Sequence, residues 1–354
     1  MIMESKTTEV LVVGAGVAGL VAACTLQSAG HQAIVVDKGR SVGGRLATRR
    51  IGDGFADHGA QYFTARSNQF QQQIDRWVKE GLVYLWAMGF STGSLTGNET
   101  SGHPRYAVHG GMNKLAKHLA AGLTVDTDVR IERIEREEDR WLALTESGDR
   151  YLADALILTP PVPQSLAILD AGQIRLGDED RQALAKIGYS PCIAGMFHFS
   201  GAIKIPAPGG IQRPAHTIPW IADNQQKGIS NECILTLHAD PDYSRRYWDA
   251  PEVEIVETMQ AYLQPYLTPE ARLIEAQIKR WRYSFPETLY PKPILLAANL
   301  PRLIFAGDAF GGPRVEGAYL SGLAAGNAIL EEIGVEGAYL SGLAAGNAIL
   351  EEME

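Results

Sequence analysis

Three glycines in the run Gly14-Ala15-Gly16-Val17-Ala18-Gly19 stand at GxGxxG spacing, directly after the wholly apolar Val10-Leu11-Val12-Val13. Glycine at the first position permits a tight turn. At the second it lets a pyrophosphate approach the backbone, and at the third it allows close helix–strand packing. A helix opening at Val17 and Ala18 offers unpaired N–H groups and a positive dipole end to phosphate oxygens. Asp37 closes a second apolar run, Ala33-Ile34-Val35-Val36, twenty-one residues after Gly16. A carboxylate there accepts hydrogen bonds from ribose hydroxyls. GxGxxG alone is a glycine-rich turn; with strand, helix and acid in place it marks a dinucleotide-binding βαβ unit.

Two further stretches can handle a bound anion. Gly39-Arg40-Ser41-Val42-Gly43-Gly44-Arg45 sets adjacent glycines between arginines, so the chain can wrap an anion that Arg40 or Arg45 neutralises. Near the C-terminus, Leu303-Ile304-Phe305-Ala306 runs into Gly307-Asp308, and Val315-Glu316-Gly317-Ala318 opens a helix of small residues. A nicotinamide dinucleotide needs no second binding motif nearly three hundred residues from the first.

The elements that must position these residues follow from apolar periodicity. Val10–Val13, Ala33–Val36 and Leu303–Ala306 read as strands of a parallel sheet buried on both faces. Ala18–Ser28, Ser67–Gly81 and Gly111–Ala121 have helical spacing. Val129–Ile134, Trp141–Thr145 and Ala155–Leu158 read as strands, and the polar stretch from Phe90 to Pro104 as a loop. The middle, Gln164 to Asn299, differs in texture, with many Pro, Trp, Tyr and Arg. It holds strands at Ile193–His198 and Ile234–His238 and a helix from Pro251 to Tyr266.

The 354 residues carry Lys+Arg 32 against Asp+Glu 41, a net charge of −9. That balance argues against a general nucleic-acid or anionic-membrane binder, which needs a basic face. No apolar run reaches the roughly 18–20 residues of a membrane-spanning helix, and Glu4 and Glu9 replace the basic start of a signal peptide. Cys24, Cys192 and Cys233 are odd in number and scattered, so neither a disulfide framework nor a metal clip is expected. His103, His109 and His118 lack metal-ligand spacing. The expected setting is the cytoplasm. Val315–Glu332 recurs unchanged at Val335–Glu352; two identical units do not make a solenoid, and a tandem duplication explains them.

The segments GAGVAGL, GRSVGGR, DHGAQYF (Asp57–Phe63) and AGDAF…VEGAYLSG together resemble the flavin amine-oxidase superfamily, and within it the renalase-like branch. The resemblance extends to Arg105–Ala120, Pro219–Lys227 and Arg280–Pro286. It implies an α/β fold: a Rossmann-type, doubly wound FAD-binding domain, amine oxidase/p-hydroxybenzoate hydroxylase-like, with an inserted α+β substrate domain. The FAD domain would comprise 1–66, 105–163 and 295–334, and the substrate domain 67–104 and 164–294, with 335–354 a duplicated C-terminal helix. It implies that Gly14, Gly16, Val17, Ala18 and Gly19 hold the FAD pyrophosphate and Asp37 the adenosine ribose. Arg45 would lie at the phosphates or flavin edge, Val129 at the adenine, Asp308 at the ribityl or phosphate portion. Glu316, Gly317 and Ala318 would bring a helix N-terminus to the flavin N1/C2 side. Lys38, Arg40, Gly44, His58, Gly59, Ala60, Gln61 and Thr159 complete the expected surroundings. Only the first repeat copy stands at the family spacing, so the flavin contact is expected there. With no cysteine after Cys233, the FAD is expected to be non-covalent.

Hydride transfer to flavin is largely cofactor chemistry, so no obligatory triad need exist. Tyr62, Gln61, Trp220, Asn224, His238, Arg282 and Tyr283 are candidates for the substrate face, where aromatics could stack a nicotinamide and a His or Asn orient its amide. Arg280 and Arg282, flanking Trp281, could meet substrate phosphates or form a solvated strand face. The resemblance implies oxidation of 2- and 6-dihydro isomers of NAD(P)H to NAD(P)+, with O2 as acceptor and H2O2 as product. The alternatives are an amine oxidase or desaturase-like FAD enzyme, and a non-enzymatic binder like the GDP-dissociation inhibitors.

Overall fold

A computed structural model describes residues 5–93 and 99–351, with backbone alone for 99–101 and 335–351. In chain order the first elements are β1 (Ser5–Val13), α1 (Val17–Ser28), β2 (Ala33–Asp37), β3 (Thr48–Ile51), β4 (Gly54–Asp57), α2 (Asn68–Lys79), β5 (Val83–Phe90) and β6 (Glu99–Val108). Then come α3 (Asn113–Ala120), β7 (Thr124–Thr127), β8 (Ile131–Glu137), β9 (Arg140–Thr145), β10 (Arg150–Leu158), α4 (Val162–Ala171) and α5 (Asp178–Ala185). The rest comprises β11 (Tyr189–Ser200), β12 (Gly210–Gln212), β13 (Trp220–Asp223), β14 (Cys233–His238), α6 (Pro241–Arg246), α7 (Glu252–Ala261), β15 (Arg272–Pro286), β16 (Leu295–Leu296), β17 (Leu303–Phe305) and α8 (Arg314–Glu351).

The main sheet runs β16-β17-β10-β1-β2-β7, with β9 beside β10 and β8 beside β9. β1 pairs in parallel with β2 on one side and β10 on the other. Its side chains alternate between two cores: Val10 and Val12 join one, Leu11 and Val13 the other. Helices α1, α3 and α8 cover the first face. A ligand crevice belongs at the C-terminal end of β1, where the connections diverge to opposite sides.

A second sheet, β12-β13-β14-β11-β15, is antiparallel and builds its own core with α7, around Phe197, Ile221, Leu237 and Met259. This is a Rossmann-like α/β domain with an antiparallel-sheet substrate domain. The boundaries depart from expectation in two places. Phe70, Ile74 and Trp77 of α2 pack into the first core, and Leu166, Leu169 and Leu184 of α4 and α5 into the second. Residues 68–79 and 164–185 therefore belong with the main sheet, because their apolar stripes face it.

Other corrections are local. Phe90–Pro104 is not all loop: β5 and β6 pair at Gly89–Thr100 and Phe90–Glu99, since a β-branched Thr suits a strand. The 94–98 part of that stretch lies outside the described residues. The strand expected from Val129 begins at Ile131, and the helix expected to Tyr266 stops at Ala261, before Pro265. As far as Glu351 the two repeat copies are one unbroken helix, α8, rather than a separate C-terminal element; 352–354 lie outside the described residues. The first copy is docked on α1: a Cβ on Gly322 would lie 2.2 Å from the Ala18 carbonyl oxygen, so only glycine allows this approach. Among the described residues, no helix is long and apolar enough to cross a membrane.

Candidate active site

The turn after β1 assigns each glycine a physical task. Gly14 has φ 101°, and a Cβ there would meet Thr159 Oγ1 at 2.4 Å. The Thr159 hydroxyl donates to the carbonyls of Val13 and Gly14, at 2.8 and 3.1 Å, fixing the turn against β10. A Cβ on Gly19 would lie 1.9 Å from the Gly14 oxygen, whereas one on Gly16 would have nothing within 4 Å. Gly16 thus leaves open space in front of α1. That helix has no side-chain cap and no acid in its first turn, so Val17 and Ala18 sit at an uncapped, positively polarised helix end. Asp37 accepts from the N–H groups of Ala15 and Gly39, both at 2.7 Å, and each carboxylate oxygen retains a lone pair. Lys38 bonds Gln164 at the surface, and Arg40 is exposed. The Val129 N–H donates to the Asp37 carbonyl, so any adenine contact falls to its carbonyl.

A cavity of about 780 Å³ extends from Gly16 and Val17 past Gly43 and Arg45 to the second sheet. His58, Gly59 and Ala60 border it on one side and the 310–318 segment on another. Arg45 and Asp308 form a two-point ion pair, both N–O distances 2.7 Å. Gly44 backs the turn, its added Cβ meeting only Gly16 Cα at 3.6 Å. Glu316 accepts from the N–H and hydroxyl of Ser67, each at 2.7 Å, and from the N–H of Arg66. Its carboxylate therefore ties α8 to the start of α2, while Gly317 and Ala318 border the cavity.

At the second sheet, Tyr62, His58, His238, Cys192 and Trp281 line the wall. The His58 and Trp281 rings stack at 5.4 Å, and the indole N–H donates to the His58 carbonyl at 2.8 Å. Burial lowers the His58 pKa to about 3, with Arg49 and Lys279 adding repulsion. Burial likewise lowers His238 to about 4, partly opposed by its hydrogen bond to the His58 backbone. Both imidazoles are neutral at pH 7. His58 Nδ1 and His238 Nε2 are buried without a hydrogen-bond partner among the described residues, leaving a donor or acceptor for a ligand. Cys192 is pushed up to about 12 by burial and stays a thiol.

The family model of flavin containing amine oxidoreductases matches residues 77–330, and that of NAD(P)-binding Rossmann-like domains matches 12–79. The chain belongs to the flavin-containing amine oxidoreductase family. It is 25% identical to a renalase of Mus musculus over 337 residues, which is 90% of this chain and 97% of that one. It is 25% identical to polyamine oxidase 4 of Oryza sativa subsp. japonica, over 63% of this chain and 48% of the other. A putrescine oxidase structure superposes with a TM-score of 0.69 at 16% identity, covering 93% of this chain and 100% of that one. A putative protoporphyrinogen oxidase from Exiguobacterium gives 0.67 at 14%, covering 94% and 100%.

Within this flavin enzyme, some expected substrate-face residues lie elsewhere. Asn224 is fully buried, accepting from the Asp57 N–H and donating to Ile234 and Thr236; it holds β4 to the second sheet and does not line the cavity. Arg282 is exposed and lies over the Trp248 ring, and Arg280 bonds the carbonyls of Trp248 and Ala250. Both arginines point away from the cavity and Trp281 points in, as strand alternation dictates. That alternation was available in the sequence. Trp220 stands behind Tyr62 in a cluster with Trp86 and Phe90, and Tyr283 packs on Tyr189. Gln61 is buried, donating to the carbonyls of Asp57 and Gly59. Sequence reasoning also missed Cys192, Ser284 and Phe310 in the wall, and the buried Asp57–Lys227 pair behind it.

Proposed function

We propose that this protein is an FAD-dependent oxidase of reduced nicotinamide dinucleotides, acting on the 2- and 6-dihydro isomers of NAD(P)H. In balance, the dinucleotide, O2 and one proton give NAD(P)+ and H2O2. One observation carries the choice of substrate. Among the described residues, only two carboxylates line the cavity, Asp308 and Glu316; Arg45 neutralises the first and backbone N–H groups hold the second. An alkylammonium substrate would find Asp308 already paired with Arg45 and Glu316 engaged at the start of α2. The stacked Trp281 and His58 with neutral His238 instead suit a planar, uncharged ring bearing an amide.

The cradle at Gly16 and the uncapped α1 fit a pyrophosphate, with Asp37 and Lys38 at the ribose, Val129 at the adenine, and Gly44, Arg45 and Asp308 farther in. Gly59, Ala60, Gly317 and Ala318 would flank the flavin ring. Bound there without a covalent link, the flavin supplies a two-electron acceptor. The chain's own part is to orient the dinucleotide, with His58 and His238 holding its amide and Trp281 its ring, and to exclude water. The main-sheet lobe holds the cofactor in this reading and the β11–β15 lobe presents the substrate.

The test is anaerobic mixing of the yellow protein with each donor. Rapid bleaching by a 2- or 6-dihydro isomer, and slow bleaching by ordinary NADH, is expected. If no isomer outpaces NADH, or if an amine from a mixed panel does, the reading fails.

A further inference from the structure

We propose that Arg66 and Arg314 form a phosphate-binding rim at the cavity mouth that selects substrates carrying a pyrophosphate. This rests on the dinucleotide reading above and adds to it the residues that would distinguish a dinucleotide from its bare riboside.

Among the described residues, five charged side chains line the cavity: Arg45, Arg66, Asp308, Arg314 and Glu316. Arg45 and Asp308 satisfy one another. Glu316 is engaged by the N–H groups of Arg66 and Ser67 and the Ser67 hydroxyl. That leaves the Arg66 and Arg314 guanidiniums, both exposed, neither making a hydrogen bond or ion pair to a described residue. Their backbones meet at one side of the cavity, where the Arg66 N–H donates at 3.0 Å to the carboxylate of Glu316, two residues beyond Arg314.

Arg314 is also held at φ 74°, a left-handed backbone conformation that arginine rarely adopts. The buried Val315 behind it fixes the direction in which it leaves the chain. Outliers of this kind gather at ligand clamps. Two guanidiniums present forked donors, the chemistry that grips phosphate. The chain's net charge of −9 repels an anion at long range, so capture of a dinucleotide needs such a local basic rim. The cofactor cradle at Gly16 is built from other residues of the same cavity.

The experiment uses flavin-loaded protein and two donors with the same reacting ring, a dihydronicotinamide dinucleotide and the corresponding dihydronicotinamide riboside. Arg66→Gln, Arg314→Gln and the double variant are compared with the parent, with Arg66→Lys/Arg314→Lys as the charge-retaining control. Flavin content and thermal midpoint monitor folding. For each arginine lost, half-saturation by the dinucleotide should rise on the order of tenfold. The limiting reduction rate should hold, and the preference for dinucleotide over riboside should collapse. The lysine pair should recover part of the preference. An unchanged preference in the double variant overturns the rim while leaving the oxidase reading intact. If the parent is reduced by no dihydronicotinamide, the oxidase reading fails by itself. Calorimetric binding of ADP-ribose then decides the rim: loss in the double variant supports it, and equal affinity, or no binding by the parent, overturns it.

Discussion

Lys227→Met should be among the most damaging single substitutions in this protein. The Lys227 ammonium and the Asp57 carboxylate have 0% side-chain exposure and lie 2.6 Å apart. The ammonium also donates to the Gln61 carbonyl at 2.6 Å and sits 4.9 Å from the Trp86 ring centre. Asp57 in turn accepts from the Met112 N–H and the Thr48 hydroxyl. Removing the lysine leaves a buried carboxylate with two neutral donors, and breaking such a pair from one side costs about 3–5 kcal/mol. Against a typical total of about 5–15 kcal/mol, that is a large share. The same lysine pins residues 57–61, which border the cavity, so flavin affinity should fall with stability. Urea unfolding followed by tryptophan fluorescence, with flavin release read in parallel, measures both. Asp57→Asn combined with Lys227→Met removes both charges and should lose less than Lys227→Met alone. A loss under about 1 kcal/mol for the single variant, or a double variant that is worse, would refute the reasoning.

Acid should destabilise the fold before the carboxylates titrate. His58 and His238 are held neutral, their pKa values lowered to about 3 and about 4, while in the unfolded chain each takes a proton near pH 6.5. The unfolded state therefore binds more protons between about pH 6.5 and 4. Stability is full above that window and falls through it, by up to ~1.4 kcal/mol per pH unit for each histidine; a flat unfolding midpoint from pH 7 to 4.5 would contradict this. Gly16→Ala should fold normally and lose flavin affinity tenfold or more, whereas Gly19→Ala, whose Cβ would lie 1.9 Å from a carbonyl oxygen, should fail to fold well. Thermal melts with flavin fluorescence separate the two. A chain ending after Gly334 should keep its flavin, because the α8 residues in the described core are Val315, Ala325, Ile329 and their partly buried neighbours up to Ile333; loss of flavin on truncation would shift the role to the second copy.

The βαβ unit was legible because its demands are local: a turn, an uncapped helix and an acid, all within about thirty residues. The main-sheet strands were legible because burial on both faces leaves apolar runs. β7 went unread because Thr124–Thr127 is a partly exposed edge with no apolar run. Asn224 and Arg282 were misplaced for the opposite reason. Their residue types suit a substrate face, but which side of a strand or core they meet depends on contacts across the chain. Asn224 is committed to Asp57, 167 residues away. Lys227 is the clearest case, since a lysine in sequence reads as surface and only the fold supplies its carboxylate.

The unbroken course of α8 has a geometric consequence for the repeat. Equivalent positions in the two copies are 20 residues apart. At 1.5 Å and 100° per residue, the second set is carried ~30 Å along the axis and turned by roughly 200°. A spacing of 18, five whole turns, would have aimed both sets alike. As it stands, the copied segment acts as a spacer that reverses bearing, so a straight rod cannot lay both glycine-bearing stripes on the same neighbour.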